Sequence, residues 1–153
     1  MNIVSRPATA SDTDIIVEFN AAMAKETENL ELDRERLQKG TEALIADSSN
    51  GIYYVAEADG KVVGQLMITY EWSDWRNGTF WWIQSVYVQP EYRERGIFCS
   101  LYRYVESIAR NRGNVCGLRL YVDQSNKLAQ QTYEALGMKR SHYQIMDTDF
   151  VLK

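Results

Sequence analysis

The sequence predicts an α/β domain of the layered α+β kind, with a mixed, mostly antiparallel central sheet flanked by helices. Three observations carry that reading. Between Ile52 and Val88 the apolar residues follow the two-residue period of strands, interrupted by the hairpin signals Asp59-Gly60 and Asn77-Gly78. On either side of this meander the period becomes helical. The 153 residues are the length of one domain with one sizeable core, so residues 1–153 are read as a single domain.

Taken in order, IVSRPA is a short first strand, and Ser11 followed by Asp14 resembles a helix N-cap with an acidic first turn. The first helix presents Ile15, Ile16, Phe19, Ala22 and Met23 at helical spacing; a second runs from Arg34 to Asp47 with Leu37, Leu44 and Ile45 inward. The acidic segment ETENLELD connects them and reads first as a solvated link. IYYVAEA, KVVGQLMITYEW and TFWWIQSVYV then form three antiparallel strands. They are followed by a helix from Gly96 to Arg112 ended by Gly113, a strand from Leu118 to Val122, a helix from Ser125 to Leu136 and a last strand from Tyr143 to Asp147.

Composition excludes several classes of function. No apolar run approaches the roughly 20 residues of a membrane span, so no membrane association is expected. MNIVSRPATASD has no apolar stretch behind a basic start, which gives a cytoplasmic expectation. The net charge of −4 argues against nucleic acid and suits a cationic small molecule. Cys99 and Cys116 lie in apolar segments and read as reduced core thiols. With His142 the single histidine and no Cys/His pairing, no metal site is expected.

The stretch PEYRERGIF sits between the third meander strand and a helix whose packing face is complete without it: Ile97, Leu101, Tyr104, Val105 and Ile108. The first amides of such a helix lack intrahelical acceptors and, with the helix dipole, favour an anion. Gly96 permits close backbone approach, and Arg93 and Arg95 can add charge-assisted hydrogen bonds, so a phosphate or pyrophosphate fits. An ordinary strand-to-helix junction with surface arginines is the alternative, since a single glycine is a weak signal.

Two motifs resemble the GCN5-related N-acetyltransferases. Val88-Gln89-Pro90 followed by Arg93-Glu94-Arg95-Gly96-Ile97-Phe98 is similar to that family's acetyl-CoA loop, with Phe98 standing where the family has a small residue. Downstream, LRLYVDQSNKLAQQTYEALGM supplies Asn126, Ala129, Tyr133, Gly137 and Met138 in the register of its second signature, and IVSRPATASDTD resembles its opening. The resemblance implies acetyl-CoA as co-substrate, with the backbone of Val86 and Val88 pairing with the pantetheine arm as an added strand. It further implies that the amides of Glu94, Arg95, Gly96, Ile97 and Phe98 cradle the pyrophosphate, that Asn126 contacts the arm, and that Tyr133 lies near the thioester sulfur. On helical spacing alone Tyr133 is equally well a core tyrosine beside Leu128, Ala129, Thr132 and Leu136.

Transfer to an amine needs a neutral nitrogen, a donor for the oxyanion, for which a backbone N–H near Val86 is the candidate, and a proton for the departing thiolate. A phenol, protonated at neutral pH, can supply the last, and Tyr133 is assigned that role as the catalytic acid. The third meander strand has Gln84 where some family members carry a glutamate, so Glu28, Glu71 and Asp74 are the candidate bases. An acceptor pocket is expected from Glu28, Trp72, Asp74 and Gln84, with Tyr70, Trp75, Trp81 and Trp82 dense nearby, a setting suited to a cationic amine. Trp81 and Trp82 must point to opposite faces, which leaves one of them for a homodimer interface. The alternative function is a sensor that binds acyl-CoA without transferring it. A nucleotide-binding domain is excluded because no G-x-G-x-x-G follows an early strand.

Overall fold

A computed structural model describes residues 1–152. It divides into two compact units, one from Met1 to Leu120 and a second from Tyr121 onward. The first holds a five-stranded sheet in the order β1-β2-β3-β4-β5: β1 (Ile3–Pro7), β2 (Ile52–Ala58), β3 (Lys61–Ser73), β4 (Gly78–Val88) and β5 (Val115–Arg119). β1 to β4 pair antiparallel and β5 joins β4 in parallel, which is the predicted mixed, mostly antiparallel sheet. Helices α1 (Thr13–Glu28), α2 (Arg34–Ala46) and α3 (Ile97–Asn111) complete this unit.

The alternation of β3 shows which helix covers which face. A Cβ on Gly64 would meet Ile97 of α3, whereas Gln65 reaches Asn20 of α1. Gly64, Leu66 and Ile68 therefore face α3, and Gln65 and Met67 face α1. On the α3 side Ile97, Leu101, Tyr102, Val105 and Ala109 are buried, and Tyr54 meets Tyr104 edge-on. Full burial of a side chain such as Leu101 contributes about 1.5–3 kcal/mol. On the other side Ile16 packs with Tyr53 and Val55.

The start of α1 differs from prediction. A 3-10 turn at Ala10–Asp12 precedes it, and Asp12 rather than Ser11 closes the start by accepting from the Thr9 amide at 2.7 Å, while Asp14 stands in the first turn as expected. Arg6 on β1 binds both Asp12 and Glu57, so the local cap is reinforced by a tertiary ion pair. The Asp59-Gly60 hairpin forms as predicted, both residues having positive φ. The next turn is longer: Asp74 to Asn77 form it, Asn77 alone takes positive φ, and Gly78 pairs with Ser73 as part of β4. Gly78 is needed there for packing, since a Cβ would come within 3.1 Å of Asn114 and Cys116 on the β5 side.

Both cysteines are free, but the expected core position is incorrect: Cys99 is exposed on the outer face of α3 and Cys116 is half-buried. Among the described residues no helix is long and apolar enough to cross a membrane, and no His, Cys, Asp and Glu cluster could hold a metal.

The second unit contains α4 (Lys127–Ala135). Asn126 caps it by accepting from the Ala129 amide at 3.1 Å, and Gly137, at φ 101°, ends it with Met138 N–H returning to the Tyr133 carbonyl. The strand predicted at Tyr143 to Asp147 does not form; Tyr143, Ile145 and Met146 are exposed. Alternating apolar residues make a strand only where a partner offers a ladder, and the segment pairs with none among the described residues.

Candidate active site

β4 carries two irregularities that local propensity does not explain. Gln65 pairs with Tyr87 and Met67 with Gln84, so Leu66 alone opposes both Ser85 and Val86. This is a bulge, and its first residue, Ser85, has a φ of 52°. A left-handed serine costs about 1–3 kcal/mol unless its surroundings enforce it. The surroundings do: Gln65 donates from Nε2 to the Ser85 carbonyl at 3.0 Å, and the Tyr53 hydroxyl interacts with the Ser85 side chain.

The second irregularity is a splay. β5 pairs with β4 from Thr79 to Trp82 and no farther. The Gln89 amide donates to Val63 on β3, so by the alternation of antiparallel bonding Val88, and with it Val86, turns its N–H and C=O to the opposite side. Among the described residues no strand of the sheet lies there. Past the bulge β4 thus presents the N–H and C=O of Val86 and the N–H of Val88 to an extended polar chain, the Val88 carbonyl being taken by Arg93.

Directly beyond lies the loop that leads into α3. Pro90–Tyr92 form a 3-10 turn, Glu94 has φ 60° and Gly96 φ 82°, and the first helical bond of α3 runs from Ser100 N–H to the Gly96 carbonyl. Nothing lies within 4 Å of a Cβ placed on Gly96, so the glycine answers a conformational need and leaves open space beside the helix N-terminus. Ile97 is buried beneath, Phe98 is half-buried beside Tyr102, and Glu94 and Arg95 are exposed.

The two arginines do different things. Arg93 donates from Nε to the Val88 carbonyl at 2.8 Å, pairs with Glu26 of α1 at 3.1 Å and lies over the Tyr87 ring. It fastens the loop to the end of β4 and to α1. Arg95 forms no ion pair among the described residues and lies over Tyr92, at the exposed rim. Burial, with Glu26 adding to it, pushes the Tyr87 hydroxyl above its usual pKa, so this end of β4 carries a neutral phenol beside a paired carboxylate.

The predicted acceptor residues are not gathered in one place. Glu28 is exposed at the end of α1, two residues from the Glu26–Arg93 tie. Gln84 is half-buried next to the bulge and donates to the Thr69 hydroxyl. Trp72 and Asp74 sit at the β3–β4 turn, where Trp72 pairs with Thr79. Thr79 is six residues before Ser85, about 20 Å along the strand. Trp72 and Trp75 are 62% and 86% exposed. Trp81 is buried and Trp82 half-buried, as strand alternation requires. Trp82 donates to Glu71 at 2.7 Å and Arg119 pairs with it at 3.0 Å; the Trp82 bond first, then Arg119, holds the Glu71 carboxyl below its ordinary pKa. A committed, weakly basic carboxylate is a poor proton acceptor.

In the second unit, Asn126 spends its carboxamide oxygen on the α4 cap. Burial pushes the Tyr133 hydroxyl above its usual pKa, so it is a neutral phenol throughout the physiological range.

A sequence profile of the Acetyltransferase (GNAT) family matches residues 18–138. The chain belongs to this family. Among solved structures it resembles a possible acetyltransferase from Clostridium difficile 630, 47% identical over 99% of both chains with a TM-score of 0.89. At 16% identity the fold alone is shared with a predicted acetyltransferase from Clostridium acetobutylicum solved with acetyl-CoA, covering 96% of both chains at a TM-score of 0.77. The same holds for AAC(6')-Iy in complex with the bisubstrate analogue CoA-S-monomethyl-acetylneamine, 16% identical over 97% of this chain and 99% of that one at a TM-score of 0.76. This GNAT protein is an acetyl-CoA-dependent acyltransferase.

Several residues that shape the site were not singled out in the sequence. Gln65 interrupts the apolar run VVGQLMI, and Ser85, next to the Gln84 already noted, widens the polar break in WWIQSVYV. Two polar breaks in neighbouring strands are a usable signal for a shared buried contact. Asn20 and Tyr53 carry no such mark.

Proposed function

We propose that this acetyltransferase moves the acetyl group of acetyl-CoA directly to a primary amine on a small cationic acceptor. The observation that carries the acceptor class is the acidic end of α1. Glu26 is tied to Arg93 at the exit of β4 and Glu31, just past the helix, to Lys25 at 3.3 Å, while Glu28 stands exposed between them with no ion pair among the described residues. A second ammonium group of a diamine or polyamine would be drawn there by charge.

In this reading the open edge of β4 at Val86 and Val88 takes the pantetheine arm as an added strand. The left-handed loop from Glu94 to Gly96, the first amides of α3 at Ile97 and Phe98, and Arg95 receive the pyrophosphate. Arg93 acts at one remove, by holding the loop. Asn126 contacts the cofactor through its amide group, its oxygen being committed to the cap. The amine loses a proton through water to an exposed carboxylate, for which Glu28 is the best placed of the three candidates, because Glu71 is ion-paired and Asp74 lies at the distant turn. The nitrogen adds to the thioester carbonyl, and the oxyanion is met by a β4 backbone N–H at the bulge. As the C–S bond breaks, Tyr133 gives its hydroxyl proton to the departing thiolate and is reprotonated from solvent.

The test is thiol release from acetyl-CoA against polyamines, amino acids, aminoglycosides and lysine peptides. Turnover with a di- or polycationic amine is expected, with Glu28→Gln lowering kcat by about a hundredfold through loss of the base and raising KM by up to about fivefold, the value of one exposed charge contact. Turnover confined to neutral or anionic amines would overturn the acceptor class.

A further inference from the structure

A chain of buried polar side chains runs beneath the β4 bulge. Asn20 of α1, Thr41 of α2, Tyr53 of β2 and Gln65 of β3 are 5%, 2%, 6% and 0% exposed. Asn20 donates from Nδ2 to the Tyr53 hydroxyl at 3.2 Å, and Gln65 donates from Nε2 to Asn20 Oδ1 at 3.2 Å and to the Ser85 carbonyl at 3.0 Å. The Tyr53 hydroxyl also interacts with Thr41 and with Ser85. Four elements thus meet in one network, which reaches Ser85 through the Gln65 bond to its carbonyl, with the Tyr53 hydroxyl beside its side chain.

The arrangement is not what stability alone would select. Gln65 Oε1 is buried with no hydrogen-bond partner, a standing penalty that an apolar side chain would avoid. The position lies between Gly64 and Leu66 in the most buried part of β3, where leucine or methionine would fill the space under α1. What the carboxamide does that an apolar side chain cannot is donate to the Ser85 carbonyl. That carbonyl belongs to the peptide unit whose N–H is the Val86 amide, so its direction fixes the direction of that N–H.

We propose that Gln65, supported by Asn20 and Tyr53, is a positioning residue for the transferase reaction: it holds Ser85 in the left-handed conformation and so aims the Val86 amide at the oxyanion. This rests on the reading of the Val86 edge given above. It predicts a defect in the chemical step with the cofactor grip at Arg95 and Gly96 left intact, because those residues belong to a separate, backbone-shaped loop.

The test uses Gln65→Met, Ser85→Gly and the pair together in the full chain, with two readouts. Without any acetyl-CoA, backbone carbon shifts and residual dipolar couplings at Ser85 and Val86 report the bulge. With the best amine, kcat and the KM for acetyl-CoA report the reaction. In Gln65→Met, Ser85 is expected to leave the left-handed region while signals in β1 and β5 stay in place. Its kcat is expected to fall about thirtyfold, short of the full loss of an oxyanion donor, with KM within about threefold. Adding Ser85→Gly is expected to recover at least about threefold in kcat, since glycine adopts positive φ without being held. A merely structural glutamine would give no such recovery. Unchanged Ser85 geometry, unchanged kcat, or loss of shift dispersion throughout the sheet overturns the proposal. Absence of wild-type turnover with every amine would overturn the acceptor reading instead, and the bulge measurement would still decide the hold.

Discussion

Ser85 and Gly96 are both left-handed residues at the ends of the same open stretch of chain, and they are held in opposite ways. Ser85 has a side chain that resists the conformation, and buried groups from β2 and β3 enforce it. Gly96 needs no enforcement, has open space around it, and is followed by helix amides. The difference matches two tasks. An oxyanion donor must be aimed to within a fraction of an ångström, which calls for a crowded, dry support. A phosphate cradle works through several amides and charges at once and tolerates an exposed, locally determined loop.

The largest effect that would sharpen this contrast is Gly96→Asp. It places a carboxylate where the pyrophosphate is proposed to sit, and acetyl-CoA affinity is expected to fall at least about a hundredfold. Gly96→Asn keeps a residue type that accepts positive φ and is expected to lose less than about fivefold. Isothermal titration separates the two, and equal losses would mean that bulk rather than charge governs the loop.

Tyr133→Phe comes next. Removing the proposed proton donor for the thiolate is expected to lower kcat by about tenfold to a hundredfold with little change in acetyl-CoA affinity. Because burial raises the Tyr133 pKa, the active, protonated form is fully present at neutral pH and is lost only as pH rises through a value above the usual ~10. The wild-type profile should therefore show no falling limb from this group below about pH 10. A variant with wild-type kcat across the alkaline range would remove Tyr133 from the mechanism.

The smallest effect belongs to a side-chain-held point elsewhere in the first unit. Asp12→Asn weakens the Arg6 pair and the cap at Thr9, and is expected to destabilise by about 1–2 kcal/mol near neutral pH, read from denaturant midpoints. The Arg6 bond holds the Asp12 carboxyl below its ordinary pKa. Its contribution is thus present above the unfolded value of about 3.9 and disappears as pH falls through the lower folded value, where variant and wild type should converge. A constant gap at all pH values would mean that the charge of Asp12 is irrelevant to the fold.

Legibility followed the range of the interactions. The meander, α1 to α4 and the PEYRERGIF loop were readable because periodicity, Asp59-Gly60 and the glycines at 96, 113 and 137 act over a few residues. The cap of α1 was misread by one residue, Ser11 for Asp12, because Arg6, six residues away and on a strand, holds Asp12 at the turn. Cys99 was misjudged since apolar neighbours in sequence alternate around a helix. The strand expected at Tyr143 lacked the partner that only a folded sheet could supply.

By itself the chain determined the family, the mixed sheet and the helix N-terminus that follows β4, since motif spacing and local backbone preference are properties of short segments. The division of labour between Arg93 and Arg95, the commitment of the Glu71 carboxylate to Trp82 and Arg119, and the grip on Ser85 were decided only in three dimensions. Each depends on residues between 5 and 67 positions apart, brought within hydrogen-bond reach by strand pairing and helix packing.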